Sequence, residues 1–172
     1  MKELEISLTE LLASRDHRWS HEKDLMAHYP DLTLVCLTVV MPGKVKRNAS
    51  SLVVATAAAK AVRSAFDDDM RLWEEKDLAT GFEAYCMVKL GAEDVKRRCC
   101  EIEESHPLGR LFDVDVIGPG GVPVSRRQLG LEPRKCLICG NEARLCMRMH
   151  THTQEELQAR IKEMISDYVQ RL

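Results

Sequence analysis

Hydrophobic and polar positions along the chain follow two periods, and the switches between them mark its elements. Leu32 to Met41 is rich in Leu, Val and Thr and closes on Pro42-Gly43, which predicts a buried strand. Arg110 to Ile117 alternates between polar and apolar residues, as a half-buried strand does, and Pro119-Gly120-Gly121 turns it into Val122-Pro123-Val124. Arg71 to Lys76 and Phe82 to Leu90 read as two further strands separated by Thr80-Gly81. Ala49 to Phe66 has an alanine-rich helical period suited to close packing on a sheet, and Glu93 to Ser105 reads as a charged helix. Ser7-Leu8-Thr9-Glu10 and Thr153-Gln154-Glu155-Glu156 each set a hydroxyl three residues before a glutamate. That is a capping-box pattern, so a helix is predicted to start at each. The first is expected to resume across Arg18 to Tyr29 and stop at Pro30, and the last to run to Leu172.

This order predicts a single α+β domain over residues 1–172, with a mixed sheet and a C-terminal appendage from about 134 to 172. With 45% hydrophobic and 30% charged residues, the chain can bury a core, which excludes disorder as a description of the whole. Its 25 Lys+Arg against 27 Asp+Glu give a net charge of −2 and exclude a general nucleic-acid binder, which needs a basic excess. Met1-Lys2-Glu3-Leu4-Glu5 is not the start of a signal peptide, and no apolar run approaches the ~20 residues of a membrane span. A cytoplasmic protein with no membrane partner is therefore expected. Seven cysteines argue against a disulfide framework. Cys36, Cys86, Cys99 and Cys100 sit in apolar or helical contexts, whereas Cys136, Cys139 and Cys146 crowd into eleven positions.

The most informative stretch is Gly109-Arg110-Leu111-Phe112-Asp113-Val114-Asp115-Val116. On a strand, Asp113 and Asp115 point to one face while Phe112, Val114 and Val116 point to the other. Two adjacent carboxylates repel each other unless a cation lies between them. Oxygen ligands of this kind suit Mg²⁺, which binds one or two carboxylates together with substrate phosphates. The plainer reading is the solvated face of an edge strand. Two features weigh against it. Gly109 permits close backbone approach directly before Arg110, whose guanidinium suits phosphate. Basic residues also gather at Lys44, Lys46 and Arg47 and at Arg126, Arg127 and Arg134, which suits a polyanionic nucleotide.

Cys136-Leu137-Ile138-Cys139-Gly140 has the form of a zinc knuckle, and Cys146 follows, with His150 and His152 four and six residues beyond it. Three thiolates and one imidazole would complete a structural zinc site with no open position. The other reading is a set of small apolar residues packing on a turn and a short helix. Met147 and Met149 are read as packing residues.

These segments together resemble the family of apo-citrate lyase phosphoribosyl-dephospho-CoA transferases. The resemblance runs through Ser14-Arg15-Asp16, Thr38-Val39-Val40 with Pro42-Gly43 and Lys46, and Glu101 and Glu103 ahead of Ser105-His106-Pro107-Leu108-Gly109-Arg110. It continues through Asp113-Val114-Asp115-Val116, Ser125-Arg126-Arg127, Arg134, Cys136, Cys139, Cys146, Arg148 and His152. It implies transfer of a phosphoribosyl-dephospho-CoA group from its triphosphate precursor, triphosphoribosyl-dephospho-CoA, to a serine of the citrate lyase apo-acyl carrier protein, with pyrophosphate leaving. Asp113 and Asp115 would then hold Mg²⁺ and Arg110 the triphosphate, with Arg15, Lys46, Gly109, Arg126 and Arg134 as further substrate contacts. His152 would be the partner of the cysteines. The two-carboxylate strand also resembles the nucleotidyltransferase superfamily, which implies a fold of that kind. The alternatives are a zinc-stabilised adaptor without catalysis, and the same transfer onto another lyase's carrier protein.

Overall fold

A computed structural model describes residues 3–172. The elements are α1 (Leu8–His28), β1 (Thr33–Val39), α2 (Ala49–Phe66), β2 (Met70–Leu78), β3 (Gly81–Val88), α3 (Ala92–Ser105), β4 (Phe112–Gly118), β5 (Val122–Pro123), α4 (Ala143–Met149) and α5 (Gln154–Val169). Both capping boxes form: Ser7 with Glu10 opens α1, and Thr153 with Glu156 opens α5. A third, Asn48 with Ser51, opens α2. Among the described residues no helix is long and apolar enough to cross a membrane.

The apolar run of β1 lies in the middle of a five-stranded sheet of order β2-β3-β1-β4-β5. Every neighbouring pair is antiparallel, so the expected mixed sheet is not formed. The connectivity explains this. The crossover through α2 brings β2 back in the same direction as β1, as in a βαβ unit. The β2–β3 hairpin then returns β3 into the gap between them, and no parallel pair remains.

One face of the sheet carries the main core. Val35, Leu37, Ala84, Cys86, Val88, Phe112, Val114 and Val116 pack beneath α2 and α3. Alanines 57 and 58 let α2 lie close to the strands. Ile161 and Ile165 of α5 enter the same core, so the C-terminal segment is anchored to the sheet domain. Burial of side chains such as Leu37 and Phe112 contributes roughly 1.5–3 kcal/mol each.

The opposite face has a smaller core of Leu25, Leu34, Cys36, Tyr85 and Met87, covered by α1. Helix α1 is continuous for 21 residues, where the sequence suggested an interruption, and Leu25 is its one buried residue. Beyond that cluster its inward side is polar, with Arg18 facing Glu83 and His21 facing Glu74.

Candidate active site

Strand β4 alternates as its sequence reads. Phe112, Val114 and Val116 are at most 1% exposed, while Asp113, Asp115 and Ile117 occupy the other face. Between the aspartates, the Val114 N–H donates to Glu103 Oε1 (3.1 Å) and its carbonyl accepts from Lys96 Nζ (2.8 Å). Strand β5 pairs only with Ile117 and Gly118, so two charged side chains of α3 occupy the edge of β4 that β5 leaves free. Both are buried, Glu103 to 3% and Lys96 to 7% exposure. Glu103 Oε2 also accepts from Arg126 Nη2 (2.5 Å), and Arg126 reaches Glu104 with its other nitrogen. This clamp fixes the backbone that presents the carboxylate pair.

The two carboxylates differ. Asp113 Oδ1 accepts from Arg134 Nη1 at 3.0 Å, and Arg134 Nη2 binds the carbonyls of Phe112 (2.7 Å) and Arg110 (3.1 Å). Asp115 makes no hydrogen bond or ion pair among the described residues and reaches solvent. Surrounding protein nevertheless strips part of its hydration. That burial first, and the Asp113 charge second, hold its carboxyl above the usual aspartate range.

The register extends these positions across the sheet. Asp113 pairs with Thr38, which pairs on its other side with Glu83; Asp115 pairs with Cys36, which pairs with Tyr85. Glu83 is 5% exposed, accepts from Tyr85 Oη (2.5 Å) and faces Arg18 Nη1 at 3.6 Å. Helix α1 crosses above. His21 Nε2 lies 2.8 Å from Glu74 Oε2, and burial raises the Glu22 carboxyl beside Cys36.

Arg110 lies in a 3-10 turn, Gly109–Leu111, and not in the strand where the alternation placed it. The turn is set by Gly109, where a Cβ would come within 2.5 Å of the Glu103 carbonyl oxygen and 2.7 Å of that of Ile102. The Arg110 guanidinium is half-buried and makes no hydrogen bond or ion pair among the described residues. Burial, then the charges of Arg134 and Arg126, pull its pKa down, which marks a cation short of counter-charge. Arg126, by contrast, is satisfied by Glu103 and Glu104, with its side chain 12% exposed.

Of the remaining basic residues, Lys46 donates to the Met41 carbonyl (2.6 Å) and has its pKa lowered by burial first and by Arg15 second. Arg15 and Lys46 are thus neighbours, one helical turn from Arg18. The structure therefore gathers Asp113, Asp115, Arg110 and Arg134 and groups Lys46 with Arg15. The sequence reading missed Arg18, Glu22, Glu83 and Lys96, and took Glu103 only as part of a resemblance. The one available signal for the clamp was the spacing of Lys96, Cys100 and Glu103 along one side of α3.

In the C-terminal segment, Cys136, Cys139, Cys146 and His152 bring their ligand atoms within 4.8 Å of one another. Cys139 Sγ lies 3.5 Å from Cys146 Sγ and 3.3 Å from His152 Nε2. Four such donors around one zinc, with bonds of about 2.0–2.3 Å, would sit roughly 3.5–3.8 Å apart; the two Cys139 separations are close to this, and the donor types suit zinc. A tight hairpin builds it: the Cys136 N–H donates to the Asn141 carbonyl (2.7 Å), and Lys135 bridges Glu142. A backbone hydrogen bond from Asn141, then His152 and Cys146, lower the Cys139 thiol to about 6. His150 instead caps α4 with φ 48° and is not part of the group. Met147 and Met149 are 74% and 67% exposed, which corrects the packing role read for them.

Fold and site together describe an α+β domain with a clamped acidic pair beside a cation short of counter-charge, and a thiolate–imidazole cluster in its C-terminal segment. The chain belongs to the apo-citrate lyase phosphoribosyl-dephospho-CoA transferase family, whose model matches residues 6–168. It is 36% identical over 165 residues to the proteins of that name from Shigella flexneri and Escherichia coli, covering 94% of this chain and 90% of each of theirs. It is 32% identical over 167 residues to a probable apo-citrate lyase phosphoribosyl-dephospho-CoA transferase from Streptococcus pyogenes, covering 95% of this chain and 87% of that one.

Proposed function

We infer that this chain transfers the phosphoribosyl-dephospho-CoA group from triphosphoribosyl-dephospho-CoA to a serine of the apo-acyl carrier protein of citrate lyase. The serine oxygen forms a bond to the α-phosphorus, the bond to pyrophosphate breaks, and the serine proton is lost. This is nucleotidyl-transfer chemistry on a sheet whose two-carboxylate strand supports a nucleotidyltransferase-type site. The observation that carries the reading is a family match that spans the whole site, joined to a carboxylate pair of which one member makes no hydrogen bond or ion pair among the described residues.

Asp113 and Asp115 would hold Mg²⁺, and their oxygen donors fit that ion. When bound, it supplies charge neutralisation at the phosphates and the leaving pyrophosphate. The chain's own residues do the rest. Arg110 offers two parallel donors to triphosphate oxygens, and it makes no ion pair among the described residues. Arg134 orients Asp113, and the Lys96–Glu103 clamp holds both aspartates in place. Arg126 acts through Glu103, while Arg15 and Lys46 serve the outer phosphates. Cys136, Cys139, Cys146 and His152 would hold a structural Zn²⁺ that ties the segment carrying Arg134 to α4 and α5.

The test is intact-mass analysis of apo-carrier protein incubated with this protein, the triphosphate precursor and Mg²⁺. The carrier should gain the mass of one phosphoribosyl-dephospho-CoA group, and Asp115→Asn should abolish the gain. A folded wild-type protein that leaves the carrier unchanged would overturn the reading and favour a non-catalytic adaptor.

A further inference from the structure

A cavity of about 300 Å³ opens beside the carboxylate pair, between α1 and the turn from β4 to β5. Trp19, Met26 and Pro30 line one side, and Ile117, Gly120 and Gly121 the other. Its size is at the lower end for small-ligand pockets. The site described above leaves it unused.

Four observations point to the same occupant. Ile117 follows Asp115 on the same face of β4, so the cavity begins about 7 Å along the strand from Asp115. Trp19 is 61% exposed, with one face of its indole covered by the Lys23 ammonium, 3.7 Å from the ring centre. Opposite it, Gly120 and Gly121 have φ of 80° and 77°, and a Cβ at either position would meet no atom within 4 Å. A wall with an exposed aromatic ring facing a turn without side chains makes a flat slot. Two charged side chains also line it: the Glu22 carboxylate can accept from an amine, and the Lys23 ammonium rests on the Trp19 ring, where a flat ligand could take its place.

We propose that this slot binds the purine base of the dephospho-CoA portion of the substrate, with Lys23 turned toward the diphosphate next to it. The proposal rests on the transferase reading for the identity of the ligand. The transferred group carries one adenine, separated from the reacting phosphorus by two pentoses. A slot one β4 step from the aspartates lies within that reach. A pantetheine arm, thin and flexible, has no use for a flat aromatic wall.

The experiment uses the full chain and dephospho-CoA as the probe. The chain has two tryptophans, so Trp73→Phe leaves Trp19 as the sole indole reporter. Titration with dephospho-CoA should quench its fluorescence saturably, with competition by AMP and none by pantetheine. Calorimetry on Trp19→Ala should show affinity for dephospho-CoA reduced roughly ten-fold or more, as expected for loss of base stacking, with Trp19→Phe restoring most of it. In the transfer assay, Trp19→Ala should raise KM for the precursor more than it lowers kcat, and leave KM for the carrier unchanged. Unchanged affinity in Trp19→Ala, competition by pantetheine, or a rise confined to the carrier's KM would each overturn the proposal. A wild-type protein that binds dephospho-CoA through Trp19 but modifies no carrier would uphold the purine slot and overturn the transferase reading instead.

Discussion

Glu103 is the side chain on which the largest stability effect is expected. It is 3% exposed and receives the Val114 N–H at 3.1 Å and Arg126 at 2.5 Å, with Arg134 4.0 Å away. Glu103→Ala removes one partner of a buried ion pair and orphans the Val114 N–H at the free edge of β4. Breaking a buried pair in this way costs about 3–5 kcal/mol, and an orphaned amide alone about 1–3 kcal/mol. The two overlap, because Arg126 keeps Glu104 as a partner, so about 3–5 kcal/mol is the expected total. For a chain of this size that is a fall of roughly 6–20 °C in Tm. Glu103→Gln keeps an oxygen for Val114 and should lose about half as much. Glu104→Ala, at a position whose side chain is 60% exposed, should cost at most about 1 kcal/mol. Urea unfolding of the three variants, compared at equal m-values, measures this order directly. Carrier modification per folded molecule should also fall in Glu103→Ala, since the backbone between the aspartates is released. A Glu103→Ala protein within about 0.5 kcal/mol of wild type would refute the clamp.

Asp115→Asn should unfold at a higher temperature than wild type at pH 7 while losing transfer. The native state binds the Asp115 proton more tightly than the unfolded chain does. Its contribution is therefore complete below the ordinary aspartate value near 3.9 and lost as pH rises through the raised native value, so the Asn advantage should vanish by about pH 3. An Asn variant less stable at pH 7 would contradict this. Asp113→Asn, which loses the Arg134 partner at a half-exposed position, should instead cost up to about 1 kcal/mol in the same melts. Gly109→Ala should destabilise by roughly 1–3 kcal/mol, because its methyl meets fixed carbonyls of α3; urea unfolding that shows no loss would mean the turn can shift. Elemental analysis should find about one zinc per chain, and a chelator should speed hydrogen exchange in residues 134–152 before it affects the sheet.

Local chemistry made part of this structure readable. Helix α2 starts and ends where its alanine period does, and the alternation of β4 put Asp113 and Asp115 together on the correct face. Helix α1 was harder, because a helix laid over a polar site turns Arg18, His21 and Glu22 inward and shows no apolar stripe. The antiparallel sheet depended on where the β2–β3 hairpin inserts, which is a non-local choice with no mark in any one segment. Buried Lys96 and Glu103 sit in a helix that looks solvated from its composition, since charge alone does not tell which way a side chain faces. The pairing of Arg134 with Asp113 was equally hidden, because their proximity is created by the path of the chain between them.

The position of β1 sets an order on folding. Leu37 has Ala84 as its neighbour on one side and Val114 on the other, so both sides of this first strand are filled by distant downstream segments. A chain emerging from the ribosome can close the β1–β3 side once β3 has appeared. Its other edge stays apolar and open until β4 is made, and such an edge invites pairing with other chains. The long loops that must close before these contacts form also slow the process. Strand β4 ends that exposure and brings Asp113 and Asp115 into register in one step, so a truncated chain that lacks the acidic pair also lacks protection against aggregation.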